Sequence, residues 1–168
     1  MKTWIKAVWR LDKRLERIAS AIDKNIMSAA FGGTGGGVFA QCNKILSLNE
    51  AKRAAVNMRV LCNAMRGALG GADTRLMEAR FGEDKPVTHI ASELGVGRFA
   101  AGKRIDAALG ACVEAVRRLG YGGADFEADY GGIHIFRSVY DKIAAEEAEP
   151  KKRKKADGGE GDEIDEAA

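Results

Sequence analysis

Residues 97–104 read Gly97-Arg98-Phe99-Ala100-Ala101-Gly102-Lys103-Arg104, which sets cations and an aromatic side by side over about two helical turns. Gly97, Arg98, Phe99, Gly102 and Lys103 fall on one side of a helix drawn through them. The chemistry is that of a duplex reader. A guanidinium at Arg98 can grip a guanine edge through two parallel hydrogen bonds, and Phe99 can pack on a thymine methyl. Lys103 and Arg104 can reach phosphate or bases, and Arg53, Arg59, Arg66, Arg75 and Arg80 are candidates for further phosphate contacts. Covalent chemistry has no comparable signal. His89 and His134 are the only histidines, and no serine, cysteine or carboxylate pair stands at a catalytic spacing, so the chain reads as a binding protein and not an enzyme.

A reading head of this kind needs a helix-turn-helix behind it, and residues 86–119 supply the pattern. Ala91 is small enough for a second helix to cross close by. Gly95, four positions later, tolerates the left-handed backbone that turns the chain. Ile90, Leu94 and Val96 are the apolar residues expected to lock the two helices together. Ile105, Leu109, Cys112, Val113, Val116 and Leu119 then recur on the inner face of the second helix until Gly120 ends it. The N-terminal residues of such a helix meet the major groove. One position departs from the common pattern. Nine residues after the turn glycine, where an aliphatic side chain is usual, stands Arg104, and Ile105 follows it. Either the helix is rotated slightly or Arg104 snorkels.

The run from Leu76-Met77-Glu78-Ala79-Arg80-Phe81 through Ile90-Ala91-Ser92-Glu93-Leu94 to Gly102-Lys103-Arg104-Ile105 resembles the late-gene antitermination protein Q of lambdoid phages. Sigma-factor region 4 and the sigma-like activators of phage late genes are similar over the same stretch. The resemblance covers roughly residues 56–119. It implies a protein that binds double-stranded DNA near a late promoter. Such a protein loads onto RNA polymerase paused there with its sigma factor and then suppresses termination. It implies no zinc, because the cysteine-rich insertions of some members are missing. A sigma-like activator or repressor acting at initiation is the nearest alternative. The small subunit of a phage terminase, a DNA-packaging adaptor, is another.

The rest of the 168-residue chain fits an all-α fold of several helices. Only 2 prolines interrupt it, and the body 1–145 carries a net charge of +7 against −4 from Glu146 onward. Residues 1–31 read as one amphipathic helix, with Trp4, Val8, Leu11, Leu15, Ile18 and Ile22 as a seam. Packing on the protein's own core is favoured over homodimerisation for that seam. Residues 32–46 read as a glycine-rich loop. It lacks the Lys-Ser/Thr pair and the preceding strand of a phosphate-binding loop. Residues 47–145 form the helical domain. Ser47-Leu48-Asn49-Glu50 is expected to cap a helix that buries Ala54, Met58, Leu61, Cys62, Met65 and Leu69. Asp73 would cap a short helix from Thr74 to Phe81, and Asp84 and Pro86 would open the next. Asp125, Glu127 and Asp129 alternate as calcium ligands do, but the spacing of glycine and closing glutamate is wrong, so a solvated loop is expected. Ile133 to Ala145 should dock as a strand or helix. Residues 146–168 are expected to be a disordered, charged tail, with Lys151-Lys152-Arg153-Lys154-Lys155 as a weak polyanion-binding run. Cys42, Cys62 and Cys112 lack metal-ligand spacing and suit a reducing compartment. No segment approaches a membrane span. A cytoplasmic protein without cofactor or metal is expected.

Overall fold

The computed structural model describes residues 1–31 and 37–148, and the expected glycine loop at 32–36 and the tail from 149 lie outside them. The described residues are all-helical. In chain order they form α1 (Lys2–Asp12), α2 (Leu15–Phe31), α3 (Gly37–Ala68), α4 (Gly71–Met77), α5 (Val87–Glu93), α6 (Arg98–Arg118), α7 (Gly123–Tyr130) and α8 (His134–Ala148). A single π-helical turn, Glu78–Gly82, continues α4.

α1 is the centre of the molecule. Trp4, Ile5, Ala7, Val8, Trp9 and Leu11 are all buried on a broad apolar face, while Lys2, Lys6 and Arg10 keep a narrow cationic stripe at the surface. It packs against α8, the π turn, α3 and α6. The expected single helix over 1–31 breaks at Lys13-Arg14, where the Arg14 amide bonds the Leu11 carbonyl at 2.7 Å, three residues back. The break redirects the chain. Leu15, Ile18 and Ile22 carry the seam on, buried in α2, which runs beside α3.

α3 is longer than expected. Its 32 residues span about 48 Å at 1.5 Å per residue, and residues 37–46, expected as loop, are its first turns. Nothing from Val38 to Leu46 opposes helix, since glycine and proline are absent there. Gln41 also closes the end of α2, donating its amide to the Ala29 and Ala30 carbonyls at 2.6 and 3.1 Å, two acceptors a helix terminus leaves open. The Ser47 box does not form. Ser47 sits mid-helix and its hydroxyl donates to the Lys44 carbonyl at 3.1 Å.

The short helix before the turn begins earlier than expected, with Gly70 as its cap and Asp73 inside its first turn. Asp84 is not helical. It adopts φ 59°, the only described non-glycine residue with positive φ, and accepts from Arg10 at 2.8 Å. The acidic segment after Tyr121 is a helix and not a solvated loop. Asp125 accepts the Gly122 amide at 2.6 Å, Glu127 pairs with Arg137, and Asp129 accepts the Tyr121 hydroxyl. All three carboxylates are thus taken up internally. Phe126, Tyr130 and Phe136 close the core against Trp4, whose ring lies 5.7 Å from that of Phe126. The end of α8 reaches past the expected start of the tail, because Glu146 and Glu147 bind Arg10 and Lys6 on α1. No described helix is long and apolar enough to cross a membrane.

Candidate nucleic-acid interface

α5 and α6 are joined by four residues, and the turn is built as a glycine C-cap. Gly95 takes φ 63°. The Val96 amide bonds the Ala91 carbonyl at 3.0 Å and the Gly95 amide bonds the Ser92 carbonyl at 3.2 Å. These two bonds satisfy carbonyls that the end of α5 would otherwise leave open. α5 packs against α6, and Ala91 and Ala101 are buried, 4% and 0% exposed. Leu94 and Val96 do not lock the pair as expected. They lie 40% and 44% exposed. Leu119 is likewise outside, at 54%, because α6 has ended with Arg118 and the chain turns away there. The inner face of α6 from Ile105 to Val116 is buried as its spacing predicts.

Gly97 is the N-cap of α6 and offers no side-chain oxygen, so the first amides of the helix keep their donors and its positive end open. Arg98 and Phe99 follow at once. Phe99 is 75% exposed, and the Lys103 ammonium lies 4.6 Å from its ring centroid. Arg98, Phe99, Gly102 and Lys103 line one open hollow of about 520 Å³ with Val87 of α5 and Asp106. Neither Arg98 nor Lys103 forms an ion pair among the described residues.

Arg104 stands apart from this group. Its Nε donates to Asp73 at 2.7 Å and so ties α6 to α4, while Ile105 takes the buried position beside it. The unusual arginine is therefore an outward salt bridge next to an ordinary core residue. Several of the proposed phosphate contacts are also occupied. Arg59 pairs with Glu16, Arg66 with Asp12 and Glu78, and Arg80 with Asp84. Arg53 lies on a different face, in a hollow it shares with Ala128 and Ile133. Arg75 remains beside α5, lining a groove of about 230 Å³ with Leu94.

Two contributors to the hollow are not evident from the cationic pattern, Val87 and Asp106. Asp106 was within reach of sequence reasoning, since it follows Lys103 by three positions and Phe99 by seven, on one helical face. Below the turn, Lys85 bridges Glu83 and Glu93 at 3.6 and 3.1 Å, and His89 reaches Glu93 at 3.1 Å. Lys85 holds the Glu93 carboxyl below the usual carboxylate range. No group of described histidine, cysteine or carboxylate side chains is placed to hold a metal ion. Family models, curated proteins and solved structures were all compared with this chain, and none matches it.

Proposed function

We propose that this chain is a sequence-specific DNA-binding transcription regulator. In this reading α5 and α6 act as a helix-turn-helix that reads the major groove with the first turns of α6. The observation that carries the proposal is the open group at that point: Arg98, Phe99 and Lys103 share one exposed hollow, and both cations are unpaired among the described residues. Most other candidate cations of the body are tied to carboxylates. Arg98 supplies bidentate guanine recognition, Phe99 a thymine-methyl contact, and Asp106 an acceptor for a cytosine amino group. Lys103 and Arg75 serve as phosphate contacts, as does the open amide end of α6. Arg104 acts on the fold and not on the DNA.

Within that class we propose antitermination. The protein would bind near a late promoter, load onto RNA polymerase and its sigma factor, and travel with the elongating enzyme. The support is the resemblance over Leu76–Phe81, Ile90–Leu94 and Gly102–Ile105. Transcription of a template carrying a promoter, a candidate site and a distal terminator tests it. The expected result is read-through that persists after the polymerase has left the promoter. A change confined to initiation would leave a sigma-like regulator, and no effect on either step would remove the transcriptional reading. Binding itself should weaken with salt. About three neutralised phosphates give a log–log slope near −2.7, or about a 40-fold loss of affinity for a fourfold rise in salt. A flat response would contradict a phosphate-dependent interface.

A further inference from the structure

The hollow at the start of α6 combines apolar surface with positive charge. Phe99 exposes its ring there beside Val87, and Arg98 and Lys103 line the same space near the open amide end of the helix. Asp106 is the one carboxylate among the lining residues, so the hollow is positive on balance. An aliphatic side chain flanked by anions suits it. The chain carries one such segment. Asp162-Glu163-Ile164-Asp165-Glu166 sets an aliphatic residue between two pairs of acids, and residues 156–168 hold six acids and no base. That segment lies outside the described residues.

The fold brings its point of attachment within reach. Glu146 on α8 and Asp84 share the Arg10 guanidinium at 3.2 and 2.8 Å, and Asp84 leads directly into Val87. Ala148 is thereby held within about 35 Å of Val87, and the chain from Ala148 to Ile164 reaches about 55 Å when extended. The exposed apolar group Phe31, Val38 and Phe39 lacks the charge, since Lys44 is the only cation between residues 25 and 51.

We propose that residues 162–166 dock in this hollow, Ile164 against Phe99 and Val87 and its flanking carboxylates on Arg98 and Lys103, and so close the head of α6 to a duplex. What is excluded rests on the DNA-binding reading; the docking itself does not. A segment tethered over this distance acts at an effective concentration in about the millimolar range, so a weak contact suffices. A duplex then binds only the undocked fraction, and its apparent Kd rises in proportion. Lys151–Lys155 compete for the same acids, but that run offers no apolar residue to Ile164.

Carbodiimide coupling of the full chain at low protein concentration, with peptide mapping, reads the docking without DNA. The expected product is an amide between Lys103 and an acid of 162–166, lost at high salt. Its yield should fall at least about threefold in Ile164→Ser, which alters no charge. Anisotropy on a short mixed-sequence duplex reads the exclusion. Combined Asp162→Asn, Glu163→Gln, Asp165→Asn and Glu166→Gln should tighten binding about tenfold, and Ile164→Ser about threefold. Coupling confined to the lysines of 151–155, or a Lys103 yield indifferent to Ile164→Ser, would overturn the docking even where the wild-type chain binds DNA. Tighter binding by the charge variant alone, with Ile164→Ser like wild type, would mean repulsion from a distance and would overturn it too. A Lys103 amide in a chain that binds no duplex would support the docking and remove the DNA-binding reading.

Discussion

Arg66→Ala should unfold this protein more easily and, under the proposed DNA-binding reading, leave duplex affinity alone. Arg66 lies on α3 and reaches in two directions, to Asp12 at the end of α1 and to Glu78 at 3.0 Å in the π turn. Its guanidinium also lies 5.6 Å from the Trp9 ring centroid. The side chain thus joins three segments, α3, α1 and the π turn. The magnitude depends on solvent. Asp12 is 11% exposed, Glu78 29% and Arg66 34%. A fully buried pair loses about 3–5 kcal/mol when one partner is removed, and an exposed pair about 0–1. The intermediate exposure places this cost near 2 kcal/mol, with the aromatic contact included. For a chain of this size that corresponds to a Tm lower by about 4–8 °C. Thermal melts beside fluorescence anisotropy on a duplex provide the assay. Lys52→Ala, which removes an exposed pair with Asp23, is the control and should change Tm by no more than about 2 °C. An unchanged Tm in Arg66→Ala, together with a salt slope shallower by about one, would refute this reasoning and return Arg66 to the phosphate backbone.

Gly95→Val should cost about 1–2 kcal/mol. No atom of the described residues crowds the position, so the whole effect is the strain of a β-branched residue at φ 63°, and an unchanged melt would contradict the turn geometry. Stability should fall below about pH 4.5. Lys13 depresses the Glu83 carboxyl and Lys85 that of Glu93; burial raises Glu147, but Lys6 and Thr3 outweigh it. Because these folded-state values lie below the unfolded value of 4.5, their contribution is complete above it and is lost as protons bind. Melts from pH 7 to pH 3 measure this, and a Tm flat across that range would contradict it. Tyr130→Phe should leave Tm unchanged or slightly raised, since its buried hydroxyl has no hydrogen-bond partner of good geometry among the described residues; a loss above about 1 kcal/mol would mean that the hydroxyl is bonded, with the Tyr121 hydroxyl as the nearest candidate.

The sequence was most legible where one periodicity and one set of end signals agreed. The inner face of α6, from Ile105 to Val116, repeats at helical spacing, and Gly95 marks the turn before it. It was least legible where tertiary partners decide the outcome. Glycines on both sides of Asp125 suggested a loop, but Phe126 and Tyr130 are four apart and dock on Trp4, which favours helix. Ser47 and Glu50 have the spacing of a cap, yet the chain before them is already helical, so no open amides remain there for them to bind. Ion pairing is invisible to spacing as well. Nothing local to Arg104 shows that Asp73, 31 positions earlier, will take it up. The same limit applies to Arg59, Arg66 and Arg80. Exposure of an arginine can be read from a helical face, but its availability depends on the carboxylates that the fold brings to it.

The central claim is that the first turns of α6 read DNA. Its most direct test is cognate-duplex affinity of Arg98→Ala, measured beside its thermal melt. Arg98 is exposed and has no ion pair among the described residues, so Tm should hold to within what about 0.5 kcal/mol produces. Affinity for the cognate duplex should fall by about 1–3 kcal/mol, while affinity for a scrambled duplex changes far less. Wild-type affinity for the cognate duplex in Arg98→Ala, repeated in Lys103→Ala, would mean that α6 is not the reading helix and would contradict the account.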